Sequence, residues 1–248
     1  MSIPDFARYR LFVEPALFEA ARLPLDREQA NYLISVLRMK QDDTVLVFNG
    51  RDGEWLAAIS VEGRKQASLT LVRQTKPQPP APDLHYLFAP LKHARLDYIA
   101  QKAVEMGAGV IQPVLTRRTQ VSRLNLDRMR ANAIEAAEQC GILALPEIRS
   151  ECALEAALEA LEPERLLVFC DEAMAQQSPV AALAGVKPGP LAVLIGPEGG
   201  FDDAERRRIL ARPATLAISL GPRILRADTA AVAALALVQA VLGDWPRG

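Results

Sequence analysis

Two glycine loops hold the residue types in this chain best suited to gripping a ligand. Leu191-Ala-Val-Leu-Ile195 runs into Gly196-Pro-Glu-Gly-Gly200, and Leu216-Ala-Ile-Ser-Leu220 runs into Gly221-Pro-Arg-Ile-Leu-Arg226. Each is a short apolar run ending in a Gly-Pro turn, the pattern of a buried strand in an α/β sheet. Two neighbouring strand ends with glycine loops make a ligand crevice. They also make ordinary strand-to-helix turns, and residue chemistry alone leaves both readings open.

The first loop lacks the Gly-Lys-Ser/Thr ending of a P-loop and the GxGxxG spacing of a dinucleotide fold. Glu198 inside it would repel phosphates but is tolerable beside a neutral or cationic ligand. S-adenosyl-L-methionine is such a ligand, with a sulfonium cation, no phosphate, and an adenine that backbone groups and apolar walls can hold. A phosphate-dependent nucleotide enzyme is disfavoured for the same reason.

The elements that must position these loops follow from pattern. Arg8-Tyr-Arg-Leu-Phe-Val13 reads as a strand with Arg8 and Arg10 on one face. A short amphipathic helix capped by Asp26 ends near Met39. The β-rich runs 44–48, 54–61 and 67–72 meet at Asp52-Gly53 and Glu62-Gly63, which are hairpin signals. Residues 1–74 therefore read as a small β-barrel domain, and the prolines of 75–83 as a linker.

Residues 84–248 alternate strands (84–89, 110–115, 166–170 and the two loop strands) with helices near 93–106, 126–140, 154–161 and 203–211. This predicts an α/β domain with a mostly parallel sheet covered on both faces. The final helix, 227–242, is apolar on nearly every face and is expected to be wholly buried.

Bulk properties narrow the class. At 248 residues and 50 % hydrophobic composition the chain can build a real core. Its N-terminus has no apolar run and no stretch suits a membrane span, so the expected location is cytoplasmic, with no membrane partner. Cys140, Cys152 and Cys170, with only His85 and His93, show no metal-ligand spacing, so no metal is expected. Net charge is −1, but residues 1–130 carry 19 Lys and Arg against 14 Asp and Glu, an asymmetry that permits a basic face.

LIGPEGGF at 194–201 followed by LGPRILR at 220–226 is a specific pair. With Arg8-Tyr-Arg-Leu-Phe-Val, Val36-Leu-Arg-Met39, the helix bearing Lys102 and Glu105, and Glu138-Gln-Cys-Gly141, the chain resembles the ribosomal RNA small subunit methyltransferase E family of the SPOUT trefoil-knot enzymes over nearly its whole length. The resemblance implies an N-terminal PUA-like barrel for RNA, a knotted C-terminal domain for S-adenosyl-L-methionine, a homodimer, and methylation of N3 of a uridine in 16S ribosomal RNA. Rival readings are a knotted methyltransferase acting on another RNA or a ribose 2'-hydroxyl, and a non-catalytic RNA-binding assembly factor.

On this resemblance the cofactor would be held by Leu194, Gly196, Pro197, Glu198, Gly199 and Gly200 of the first loop, and by Ser219, Leu220, Gly221, Ile224 and Leu225 of the second. Uracil N3 is a weak acid, so Arg226 is the expected stabiliser of its anion, and Glu138 and Asp228 the candidate carboxylates for its proton. Each also has a plain structural role open to it, Arg226 pairing with Asp228 among them. Arg226-Ala-Asp-Thr229 stands where Arg-Thr-Glu-Thr is usual, and Ile142 where many relatives are polar. RNA phosphates would meet Arg8, Arg10, Arg38, Lys92, Arg95 and Lys102.

Overall fold

The computed structural model describes residues 9–63, 66–92, 94–121, 123–174 and 178–245. They form two compact units, one reaching Pro80 and including Ala137–Leu145, the other made of Ala81–Ala136 and Pro146 onward. Arg8 and His93 lie outside the described residues.

The first unit is a five-stranded mixed sheet of β1 (Arg10–Phe12), β2 (Arg22–Pro24), β3 (Thr44–Phe48), β4 (Glu54–Gly63) and β5 (Gln66–Lys76), in the order β1-β3-β4-β5-β2. The three predicted runs form the antiparallel centre β3-β4-β5, and β1 joins β3 in parallel. Alternation puts Val45, Val47, Ala57, Ile59, Leu69 and Leu71 into one core. Gly53 sits at the β3 to β4 turn with φ +77°, and a Cβ there would lie 2.3 Å from the Lys76 carbonyl, so only glycine fits. β5 continues to Lys76, into the start of the proline-rich stretch.

Asp26 caps α1 (Arg27–Asn31) in a reciprocal box with Gln29. The expected helix toward Met39 then loosens into a π-helical turn over Tyr32–Val36, and Arg38 ends it with φ 58°.

The second unit holds β6 (Leu84–Phe88), β7 (Val110–Leu115), β8 (Glu147–Ile148), β9 (Cys152–Ala153), β10 (Leu166–Cys170), β11 (Leu191–Ile195) and β12 (Thr215–Ile218). The sheet order is β12-β10-β11-β6-β7-β8, with β9 also on β7 and every pairing parallel. Its helices are α2 (Ala94–Glu105), α3 (Leu126–Cys140), α4 (Leu154–Glu159), α5 (Pro179–Ala184), α6 (Asp203–Ala211) and α7 (Ala227–Val241); the last turn of α3 belongs to the first unit. This is the α/β class read from the sequence.

Two expectations are corrected. The loop strands β11 and β12 are not neighbours, because β10 lies between them and hydrogen-bonds to both. Pattern identifies strands but carries no information on lateral order. Nor is α7 buried all round: Ala231, Ala234, Leu235 and Val238 are core, whereas Val232, Ala233, Ala236 and Leu237 are half-buried. Gln239 of α7 donates to the Met106 carbonyl at 2.8 Å, closing the end of α2 where Gly107 turns with φ +77°.

Candidate active site

The carboxyl ends of β10, β11 and β12 open onto a cavity of about 300 Å³. Three segments wall it: Ile195–Glu198 with Gly200 and Phe201 after β11, Ser219–Leu225 after β12, and Phe169–Ala173 at the end of β10. Such crevices at strand ends are where open parallel sheets bind ligands.

The first loop is shaped by close contact. A Cβ on Gly196 would come within 2.6 Å of the Phe201 ring, and that ring packs edge-on against Phe169 at 5.4 Å. Gly200 has φ +68°, and a Cβ on it would meet the Glu172 carboxylate at 2.8 Å. Just beyond, Asp202 caps α6 in a reciprocal box with Glu205. Glu205, buried, also accepts the Arg117 amide at 2.8 Å, and Arg118 donates to the Gly199 carbonyl.

Glu198 is ion-paired with Arg95, which sits close enough to Asp228 for both carboxylates to hold its pKa above the usual arginine value, Glu198 by direct hydrogen bonding foremost. The carboxylate that argued against phosphate is thus partly neutralised, and the repulsion it would exert is weaker than the sequence alone implies.

The second loop is less braced. Ser219 Oγ accepts the Gly221 amide at 3.3 Å, Gly221 takes φ +104°, and Ile224 is 93 % exposed. Arg226 is the exposed N-cap of α7; its carbonyl accepts the Ala230 amide at 2.8 Å, but its side chain, among the described residues, makes no hydrogen bond or ion pair, so the pairing with Asp228 open to it in the sequence does not form. Asp228 accepts the Thr229 amide at 2.9 Å. It also helps raise the Tyr86 hydroxyl, whose pKa burial holds well above the ordinary value.

The β10 wall carries an ion pair with a buried carboxylate. Asp171, 5 % exposed at its side chain, pairs with Arg206 of α6 at 2.8 Å, and its amide donates to the Ile218 carbonyl at 3.0 Å. Next to it, desolvation pushes the half-buried Cys170 thiol up to about 12. Among the described residues no cluster of His, Cys, Asp and Glu could hold a metal ion.

Of the residues expected at the cofactor, Gly196, Pro197, Glu198, Gly200, Ser219, Leu220, Gly221, Ile224 and Leu225 line the cavity. Leu194 instead points into the core, and Gly199 lies under Arg118. Glu138 belongs to the first unit, where its carboxylate accepts the Phe12 amide at 2.8 Å. Arg10 does not offer a free cation. Its side chain is 8 % exposed, pairs with Glu54 at 3.0 Å, lies over the Phe48 ring and donates to the Ala137 carbonyl. Arg38 and Lys92 are exposed, whereas Lys102 is bound to Glu105 at 2.7 Å.

Sequence reasoning missed Phe169, Asp171, Glu172, Phe201 and Arg206. Asp171 and Glu172 directly follow an apolar run, the same signal that marked the loops, but no glycine drew attention to them.

The chain is of the RNA methyltransferase class: residues 77–239, which include the strand-end cavity, match the RNA methyltransferase domain family, and residues 25–72 match the RNA methyltransferase PUA domain. The ribosomal RNA small subunit methyltransferase E of Rickettsia conorii is 30 % identical over 93 % of this chain and 94 % of its own. That of Synechocystis is 32 % identical over 94 % and 78 %. The same enzyme from Neisseria gonorrhoeae, solved bound to S-adenosyl methionine, superposes with a TM-score of 0.84 at 25 % identity over 96 % of this chain and 99 % of its own. The chain belongs to the ribosomal RNA small subunit methyltransferase E family.

Proposed function

We propose that this chain transfers the methyl group of S-adenosyl-L-methionine to N3 of a uridine in 16S ribosomal RNA. The observation that carries the reading is the cavity of about 300 Å³ between two glycine loops, in a chain whose relatives include an enzyme solved with that cofactor. The residues fit the group. Gly196 leaves room against Phe201, Glu198 is paired rather than bare, and the loop backbones offer amides and carbonyls beside apolar walls.

The cofactor supplies an electrophilic methyl carbon; the protein must align the uracil and manage its N3 proton. Arg226, exposed and with its side chain unpartnered among the described residues, presents a guanidinium to the flanking carbonyl oxygens as negative charge develops. Asp228, two residues further on in the first turn of α7, is the carboxylate we favour for the proton. Glu138 binds the Phe12 amide in the first unit, away from the loops that wall the cavity in sequence, and the proton is assigned to Asp228, which follows the second loop.

RNA phosphates are met by exposed Arg38 and Lys92, with Arg95 contributing the donors left over from its ion pair and Lys102 adding its charge beside Glu105. Arg10, buried, is excluded from that set. The half-buried apolar residues Val232, Ala233, Ala236 and Leu237 of α7 suit a second copy of the chain, so the species in solution is a homodimer of twice 27.0 kDa. With ribosomal RNA as acceptor the compartment is the cytoplasm; no described helix is long and apolar enough to cross a membrane.

Nucleoside mass spectrometry of 16S RNA from cells lacking the protein tests the reading. N3-methyluridine should vanish and return with the wild-type chain. Its persistence would shift the acceptor to another RNA or a ribose hydroxyl. Failure of the purified protein to bind S-adenosyl-L-methionine in calorimetry would favour an assembly factor.

A further inference from the structure

We infer that Arg118 couples RNA binding to cofactor binding; the inference rests on the function proposed above. Arg118 follows β7 in a turn held from within, where Thr119 Oγ1 accepts the Thr116 amide at 2.9 Å and the Thr119 amide donates to the Thr116 carbonyl at 3.1 Å. The same turn is fastened to α6, since the Arg117 amide donates to Glu205 at 2.8 Å and the Arg117 guanidinium meets Asp202 at 3.3 Å. From this fixed base the Arg118 stem lies over Gly199, with Cδ 3.4 Å from the place a Cβ would take, and Nη1 donates to the Gly199 carbonyl.

Two features make this more than a brace. Arg118 is exposed, and among the described residues only Nη1 of its guanidinium is engaged, so Nε and Nη2 remain as a parallel fork. Such a fork fits two oxygens of one phosphate, which a lysine cannot match. A phosphate bound there would fix the plane of the guanidinium and with it the Gly199 carbonyl, in the middle of the loop that walls the cavity. Ordering the loop in advance lowers the entropic cost for the second ligand, so the coupling is positive. By linkage the cofactor must tighten RNA binding by the same factor.

The test measures affinity, not turnover. Equilibrium dialysis of labelled S-adenosylhomocysteine, which cannot donate a methyl group, is run with and without saturating small ribosomal subunits. For the wild type the subunits should tighten binding by about fivefold or more, the lower end of ordinary coupling between sites. In Arg118→Lys, which keeps the charge but loses the fork, and in Arg118→Met, which keeps the stem alone, the ratio of the two affinities should fall to about one. Thermal unfolding confirms that each variant is folded.

The ratio is the readout, because a merely structural role would weaken both affinities together and leave it unchanged. An unchanged ratio in folded variants, or a wild type whose affinity ignores the subunits, overturns the inference while leaving the methyltransferase reading intact. A wild type that binds no S-adenosylhomocysteine under either condition overturns both.

Discussion

The two glycine loops share a Gly-Pro start and little else. Every turn of the first rests on a side chain: Phe201 under Gly196, Arg95 on Glu198, Arg118 over Gly199, Glu172 against Gly200. The second has Ser219 at its base and then Arg223, Ile224 and Arg226 in solvent. One wall of the cavity is braced by side chains at each turn, and one of those braces, Arg118, also faces solvent; the other wall carries few internal contacts. A braced wall gives affinity at low entropic cost, whereas a sparsely held one leaves its exposed side chains to follow a substrate.

If that division is right, the second loop carries the chemistry. Arg226→Ala should lower methyl transfer under saturating cofactor by roughly 100-fold or more, the usual loss when one donor to a developing anion is removed, with much smaller change in cofactor affinity. An equal fall in both would place Arg226 among the binding walls. Gly196→Ala tests the built wall by steric conflict with Phe201, whose ring would be 2.6 Å from the new methyl. An overpacking cost of about 2 kcal/mol corresponds to roughly 30-fold weaker cofactor binding in calorimetry.

Gly221→Ala separates sterics from backbone strain, since nothing lies within 4 Å but φ is +104°. A cost of about 1 kcal/mol, or roughly fivefold in affinity, is expected. A larger loss than at Gly196 would invert the comparison. Ile224→Ala should leave thermal stability within about 0.5 kcal/mol, as for other exposed positions, and weaken cofactor binding only severalfold. No change in binding would show that the ligand leaves Ile224 uncovered.

The β10 wall gives the smallest effect at neutral pH. Desolvation raises the Cys170 thiol from 9.0 to about 12, so the unfolded chain releases that proton first. The stability due to the desolvated thiol is complete below about pH 9 and is lost as pH rises toward 12. At pH 8.5 iodoacetamide should therefore alkylate exposed Cys140 and spare Cys170, as peptide mass mapping would report.

Much of the frame was legible because burial writes apolar runs. The bounds 44–48, 110–115, 166–170 and 191–195 and the helix 126–140 are the observed ones, and both capping helices, after Asp26 and Asp202, start where their caps predict. Short elements such as β2, β8, β9 and α5 left no such signal, because two to six residues carry no period. Lateral order was equally silent, and with it went the β10 wall: Asp171 looked like any acid after a strand until β10 proved to lie between the loops. Charge was the least readable. Arg10 and Glu138 are ordinary surface types in sequence, and only the folded neighbours Glu54 and Phe12 show why each is occupied.

The placement of Ala137–Leu145 with the first unit bears on how such a protein can be inherited. Arg10 donates to the Ala137 carbonyl, the Phe12 amide to Glu138, and Gln78 to the Leu143 carbonyl, so a segment borrowed from 60 residues downstream closes the first sheet's edge. A fragment ending at Pro80 would carry its strands but not these acceptors, and would leave the Arg10 to Glu54 pair open to water. Recombination that exchanged only the N-terminal stretch would have to bring the end of α3 with it. The two units are therefore best regarded as sharing a chain in the manner of interleaved exons rather than beads on a string, and they should evolve as one block.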